Sequence, residues 1–180
     1  MGRRLLALLL IACLAGIAAG AVGSARAGKS PLVAARIPAL PATLPVHGRA
    51  CPIPARYRSA FDAAARQTGL PLPLLVAVAR VESNLRQEAR SGAGALGLLQ
   101  VMPTTASALE LDPAEPDSNV LAGARYLAML FDRFDSSDLA LAAYNAGPTA
   151  VAQFGGAPSG ATLTYVANVT ALWRALRTCR

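Results

Sequence analysis

The sequence predicts one compact, almost all-α domain over residues 51–180. Three observations carry that expectation. Apolar residues recur at helical spacing from Pro54 onward, and the period-two alternation of half-buried strands is nearly absent. Hydrophobic residues make up 54% of the 180, enough to fill a core. No internal repeat stands out, and the length suits one folded domain plus a tail.

The tail comes first. Arg3 and Arg4 precede an apolar run, Leu5 to Ala12, that continues with breaks to Val22, and Ala25-Arg26-Ala27 follows. Charged, then apolar, then small is the order of a secretory signal, here cleaved before Gly28, which places the mature protein in the periplasm. A transmembrane anchor is the alternative, but the 18 residues from Leu5 to Val22 include several Gly and Ala and make a marginal span. A third reading takes Leu10-Ile11-Ala12-Cys13 as a lipidation motif with Cys13 as the modified residue. It would leave a signal of only 12 residues, and the apolar run continues past the cysteine. Residues 28–50 carry Pro31, Pro38, Pro41 and Pro45, a density that defeats both helix and central strand, so they read as a linker. His47, the single histidine, lies there and reads as a solvated residue.

Helices fill the rest. Ala55 to Thr68 puts Tyr57, Ala60, Phe61, Ala64 and Ala65 on one face, and Gly69 ends it. Pro71 and Pro73 open a helix running through Leu74, Leu75, Val76, Val78 and Val81 to Glu82. It is apolar nearly all round and is expected to be central and buried. Ser91 to Leu99, with Gly92, Gly94 and Gly97, reads as a loop with a tight turn. Pro103 suits the first turn of a helix over Thr104–Leu109. Asp117 or Ser118 is expected to cap a helix from Asn119 to about Phe134. Leu139–Tyr144, Thr149–Phe154 and Thr162–Leu176 complete the set.

Charge and cysteine content narrow the function classes. The net charge is +7; loss of Arg3, Arg4 and Arg26 would leave 14 basic residues against 10 acids, a net +4. A mildly basic protein suits an anionic cell wall. No run of Lys and Arg with interleaved aromatics is present, so nucleic acid is not the expected partner. Beyond the leader only Cys51 and Cys179 remain, at the two ends of the helical region, and a disulfide between them is expected in an oxidising compartment.

Glu82 stands out chemically. It is a carboxylic acid at the end of an apolar helix, and apolar surroundings disfavour its charged form, as a general acid near neutral pH requires. A surface glutamate at a helix end is the plain alternative. Glu82-Ser83 is followed in order by Gly94–Pro103 (GALGLLQVMP), Ala142–Gly147 (AAYNAG) and Thr162–Val166 (TLTYV). With these four segments in register, the sequence resembles the lytic transglycosylases of the soluble type, whose domain is related to goose-type lysozyme.

The resemblance covers nearly all of residues 54–176 and implies a lysozyme-like all-α fold with a substrate cleft. It implies that Glu82 first protonates a glycosidic oxygen of peptidoglycan and then takes a proton from the sugar's own C6 hydroxyl. Ser83 would orient the carboxyl or the substrate. Gln100 and the backbone of Gly97, Leu98 and Leu99 would line sugar subsites. Tyr144 and Asn145 would stand opposite Glu82, with Tyr144 near enough to hydrogen-bond it, and Tyr165 would close the cleft from the last helix. Trp173 reads as an ordinary core residue. Two departures from the family pattern are plain: Leu99 stands at a usual Met, and Ala161 at a usual Glu, which removes a polar contact from the late segment.

Ordinary glycosidases use two carboxylates. Glu88, Asp112, Glu115 and Asp117 read as solvated surface charge, so a single acid is expected, with the substrate's N-acetyl group assisting and a 1,6-anhydro ring as product. No metal or cofactor is implied, because no His/Cys/Asp cluster has ligand spacing. The expected partner is the peptidoglycan glycan strand, attacked by a monomer. Exported single-domain chains of this size resemble transglycosylases associated with secretion systems or pili. The rival readings are a hydrolytic lysozyme of the same fold and a non-catalytic wall-binding factor.

Overall fold

Prolines and glycines punctuate the chain into seven α-helices over residues 49–180, the residues described by a computed structural model. The expected signal sequence, the Cys13 lipidation site, His47 and most of the linker lie outside the described residues. A short 3-10 turn, Ala55–Tyr57, leads into α1 (Arg58–Thr68). Gly69, at φ 71°, closes α1 by donating its N–H to the Ala65 carbonyl. Then follow α2 (Leu72–Ser83), α3 (Pro103–Ala108), α4 (Pro116–Arg133), α5 (Ser137–Ala146), α6 (Pro148–Phe154) and α7 (Gly160–Leu176).

The start of α4 differs from expectation. The helix begins at Pro116, preceded by an extended Glu115, and neither Asp117 nor Ser118 caps it. Proline at the first helical position has its φ preset and no N–H to leave unpaired, so the helix starts there without a side-chain cap. Asp117 sits instead in the first turn, where a negative charge meets the positive end of the helix dipole. True side-chain caps occur at Ser136 and Ser159, whose hydroxyls accept from Leu139 N and Thr162 N.

The core is built around α2. Leu74 through Ala79 have no exposed surface, and Phe61 of α1, Leu98, Val120 of α4, Leu141 of α5 and Val169 of α7 pack about them. Each such Leu, Val or Phe contributes about 1.5–3 kcal/mol by leaving water. A smaller cluster of Leu130, Ala140, Ala142, Ala143 and Val151 lies between α4, α5 and α6. Among the described residues the only bridges of extended type are isolated, Arg90 to Leu96 and Leu96 to Val101. The second of these pinches residues 96–101 into a tight loop.

Cys51 and Cys179 form a disulfide with their Cα atoms 4.7 Å apart. Backbone bonds reinforce it: Arg180 N–H donates to the Arg49 carbonyl at 3.1 Å, and Cys51 N–H to the Arg180 carbonyl at 3.2 Å. This pairing starts two residues before the expected domain boundary. No helix of the described residues is long and apolar enough to cross a membrane.

Candidate active site

The last turn of α2 leaves the core, and the chain reverses at Asn84 in the left-handed conformation, φ 53°. Glu82 is therefore carried to the edge of the buried cluster, partly covered. Its Oε1 accepts a 2.8 Å hydrogen bond from the Tyr165 hydroxyl of α7. Burial raises the carboxyl from 4.5 to about 7, against the opposing pull of the Tyr165 bond. Tyr165 is itself pushed well above the usual phenol range, by burial first and by the Glu82 charge second, so it stays a neutral donor.

The sequence expectation for the two tyrosines is corrected here. Tyr144 of α5 does not bond Glu82; its hydroxyl donates to the Leu99 carbonyl at 2.8 Å. Tyr165 of α7 makes the contact assigned to Tyr144. Tyr144 remains within the electrostatic reach of Glu82, whose charge, after burial, also raises it. Ser83 is corrected too. It is buried, its hydroxyl lies 2.8 Å from the Leu98 carbonyl, and it accepts from Arg86 N, so it fixes the loop rather than the carboxyl or a substrate.

The loop from Leu96 to Val101 forms the wall beside the acid. Its Leu98 and Leu99 side chains are buried. Gln100 adopts φ 44°, a left-handed conformation costly for a non-glycine residue, and its Nε2 donates to Ala89 O at 3.0 Å and Gly97 O at 2.9 Å. Gln100, Met102, Thr105, Tyr126, Tyr144 and Asn145 line a cavity of about 160 Å³. The structure thus gathers Gln100, Tyr144 and the exposed Asn145 around one opening, while Gly97, Leu98 and Leu99 serve as its scaffold. A second recess of about 320 Å³ lies on the other flank of the loop, among Glu88, Arg90, Gly97 and Pro113.

Asn119, Gly123 and Tyr126 are functional neighbours that the sequence reading did not assign. Asn119 is buried; its Oδ1 accepts from Leu99 N at 2.9 Å, and its Nδ2 donates to Leu96 O at 2.8 Å and Pro113 O at 2.9 Å. A Cβ on Gly97, at φ 75°, would come within 2.5 Å of that side chain. A Cβ on Gly123 would meet Leu99 at 2.6 Å and the Tyr144 hydroxyl at 2.9 Å. Tyr126 packs against Tyr144 with ring centroids 5.5 Å apart. The available signal was a lone Asn, four residues before a Gly, on the inward stripe of an amphipathic helix.

The other nine acids offer no partner to Glu82. Asp62 is ion-paired with Arg58 at 3.0 Å, and the remaining eight are exposed. Among the described residues no three His, Cys, Asp or Glu side chains are grouped to hold a metal. What the arrangement can do is hold one proton on a half-buried carboxyl bonded by Tyr165 and within electrostatic reach of Tyr144, which lines the opening.

The family described as transglycosylase SLT domain matches residues 59–161. The membrane-bound lytic murein transglycosylase F 2 of Alkalilimnicola ehrlichii is 37% identical over 100 residues, covering 51% of this chain and 22% of that protein. A transglycosylase of Enterobacteria phage PRD1 is 38% identical over 88 residues, covering 48% of this chain and 33% of that protein. The 70 kDa soluble lytic transglycosylase of Escherichia coli superposes with a TM-score of 0.60 at 28% identity, over 69% of this chain and 25% of that one. The complex of the 70 kDa soluble lytic transglycosylase with bulgecin A gives 0.59 at 27%, over 69% and 24%. This chain thus spans about a fifth to a third of the length of these proteins.

Proposed function

The chain belongs to the transglycosylase SLT domain family, and we propose that it is a peptidoglycan lytic transglycosylase whose single acid/base is Glu82. The observation that carries this reading is a carboxyl held protonated to about pH 7 at the edge of the core, with every other acid exposed or ion-paired.

The chemistry follows from which oxygen is free. Tyr165 occupies Oε1, so the transferable proton of neutral Glu82 rides on Oε2. Delivered to the oxygen of a MurNAc–GlcNAc β-1,4 bond, it lets the bond to C1 break while the substrate's N-acetyl group assists. The resulting carboxylate, still bonded by Tyr165, takes the proton of the C6 hydroxyl. That oxygen closes on C1 and gives a 1,6-anhydro-MurNAc end. The proton lent is returned and no water is consumed, so no second carboxylate is required. A carboxyl with its pKa near the working pH suits both halves of this cycle. In this proposal Gln100, Tyr144 and Asn145 bind the sugars, and Ser83, with the Gly97–Leu99 backbone, holds the wall they stand on.

The same proposal includes a signal at residues 1–27, a linker at 28–50 and a catalytic domain at 51–180, with the mature protein in the periplasm, opening the wall locally for a secretion or pilus apparatus. N-terminal sequencing of fractionated protein should find Gly28 first. An intact Met1 in the cytosol would reject the export assignment.

Digestion of purified peptidoglycan followed by mass spectrometry is the decisive experiment. The expected products carry 1,6-anhydro ends, and Glu82→Gln should lower the rate by about 10²–10⁴-fold while the fold persists. Reducing MurNAc ends as the main product would move the protein to the hydrolytic lysozymes. Near wild-type cleavage by Glu82→Gln would overturn both enzymatic readings. Bulgecin A, bound in one of the related structures, is expected to inhibit.

A further inference from the structure

All ten acids of the sequence lie between Asp62 and Asp138, so the two segments that meet at the disulfide, residues 49–61 and 139–180, carry basic side chains and no acid. They bring four exposed arginines to the C-terminal end of α7. Arg49 and Arg180 are joined through the backbone at 3.1 Å, and Arg174 and Arg177 stand three residues apart at the end of α7. Among the described residues the one ion pair is Arg58–Asp62, so none of these four has a carboxylate within 4.0 Å. Arginines in a last helical turn complement the negative end of the helix dipole. That accounts for Arg174 and Arg177 but not for Arg49, which arrives from the other end of the chain. Residues 28–48, which join the domain at Arg49, add Lys29 and Arg36 and again no acid.

Beside the arginines lies a cavity of about 180 Å³ walled by Ala50, Pro52, Ala175 and Leu176, with Arg49 and Thr178 among its lining. A carbon-walled recess with guanidinium groups beside it matches an amphiphile with an anionic head better than an acidic peptide, which would need hydrogen-bonding walls. We propose that this end of the molecule docks on an anionic phospholipid surface, headgroup phosphates against the arginines and glycerol carbons over the recess. The geometry gives the contact an orientation. Tyr165 lies nine residues before Arg174 on the same helix, about 14 Å along its axis. Docking by the arginine end therefore points Glu82 away from the lipid, toward glycan lying beyond it.

Vesicle co-sedimentation of the full chain tests the proposal, with about 30 mol% phosphatidylglycerol against pure phosphatidylcholine and with salt varied. Any binding through the N-terminal residues is common to every variant. Two triple variants of equal net charge are compared: Arg49→Glu, Arg174→Glu, Arg177→Glu, and Arg66→Glu, Arg125→Glu, Arg133→Glu. Each surface arginine is worth about fivefold in binding, so removing three costs about 100-fold, and the glutamates that replace them add repulsion; the first triple should lose at least about 100-fold on anionic vesicles and the second far less. Glycan cleavage in the absence of lipid should be the same for both, which reports that each is folded. Millimolar inorganic phosphate should not displace the wild type. Equal losses in the two triples, no preference for anionic vesicles, or displacement by phosphate alone would each overturn the proposal.

Discussion

Glu82 holds its proton because the surrounding apolar side chains cannot solvate the anion, and this has a thermodynamic signature apart from catalysis. The unfolded chain releases that proton near 4.5, the folded chain near 7. The native state is thus favoured by this group below pH 4.5, and the advantage is lost as pH rises from 4.5 to 7. Glu82→Gln does not titrate, so relative to wild type it should gain up to about 3 kcal/mol in unfolding free energy between about pH 4 and pH 8, measured by urea denaturation. The Tyr165 hydroxyl stabilises the charged form, so Tyr165→Phe should raise the carboxyl further and move the alkaline limb of the activity profile upward, with a lower maximal rate. Tyr144→Phe removes a bond to Leu99 instead and should leave that limb nearly in place. Glu82 was legible in the sequence as the acid at the end of an apolar run. Which tyrosine reaches it was not, because that depends on how α7 crosses α2, and spacing along one chain does not encode a crossing.

At the scale of elements, the cleft wall is a loop held by a helix. Asn119 of α4 satisfies one N–H and two carbonyls of the segment around it. Asn119→Ala leaves these groups buried without partners, at about 1–3 kcal/mol for each that water cannot reach. Its melting temperature should fall, and KM for glycan should rise as Gln100 loses its fixed conformation. Gly123→Ala should be similarly harmful, since its Cβ would meet Leu99 and the Tyr144 hydroxyl at once. Steady-state kinetics with thermal melting check both. The long helices were readable because α1, α2 and α7 each bury a face or, for α2, nearly all round. The start of α4 was misread because two good capping residues, Asp117 and Ser118, follow a proline that had already begun the helix. The loop after α2 showed its glycines, Gly92, Gly94 and Gly97, but not their purpose. Gly97 gives way to a side chain 22 positions later in the sequence, and such a contact is invisible to local pattern.

For the whole molecule, the disulfide dominates. It closes a loop of sequence separation 128, for which the chain-entropy model gives about 5 kcal/mol as an upper bound. Replacing Cys51 and Cys179 with Ser should lower the melting temperature clearly, and peptide mapping without reductant should find the pair linked in the wild type. The joined ends have another consequence. With Cys51 and Cys179 at 4.7 Å between Cα atoms and a pair of backbone bonds alongside, the helical domain is topologically a ring with a single gate. A ring of this kind can be opened elsewhere and spliced into a host polypeptide through one point of attachment, without its interior registering the change. A permuted chain that begins at Asp112, in the exposed turn between α3 and α4, and runs through a short linker from Arg180 to Arg49 should therefore fold and cut glycan.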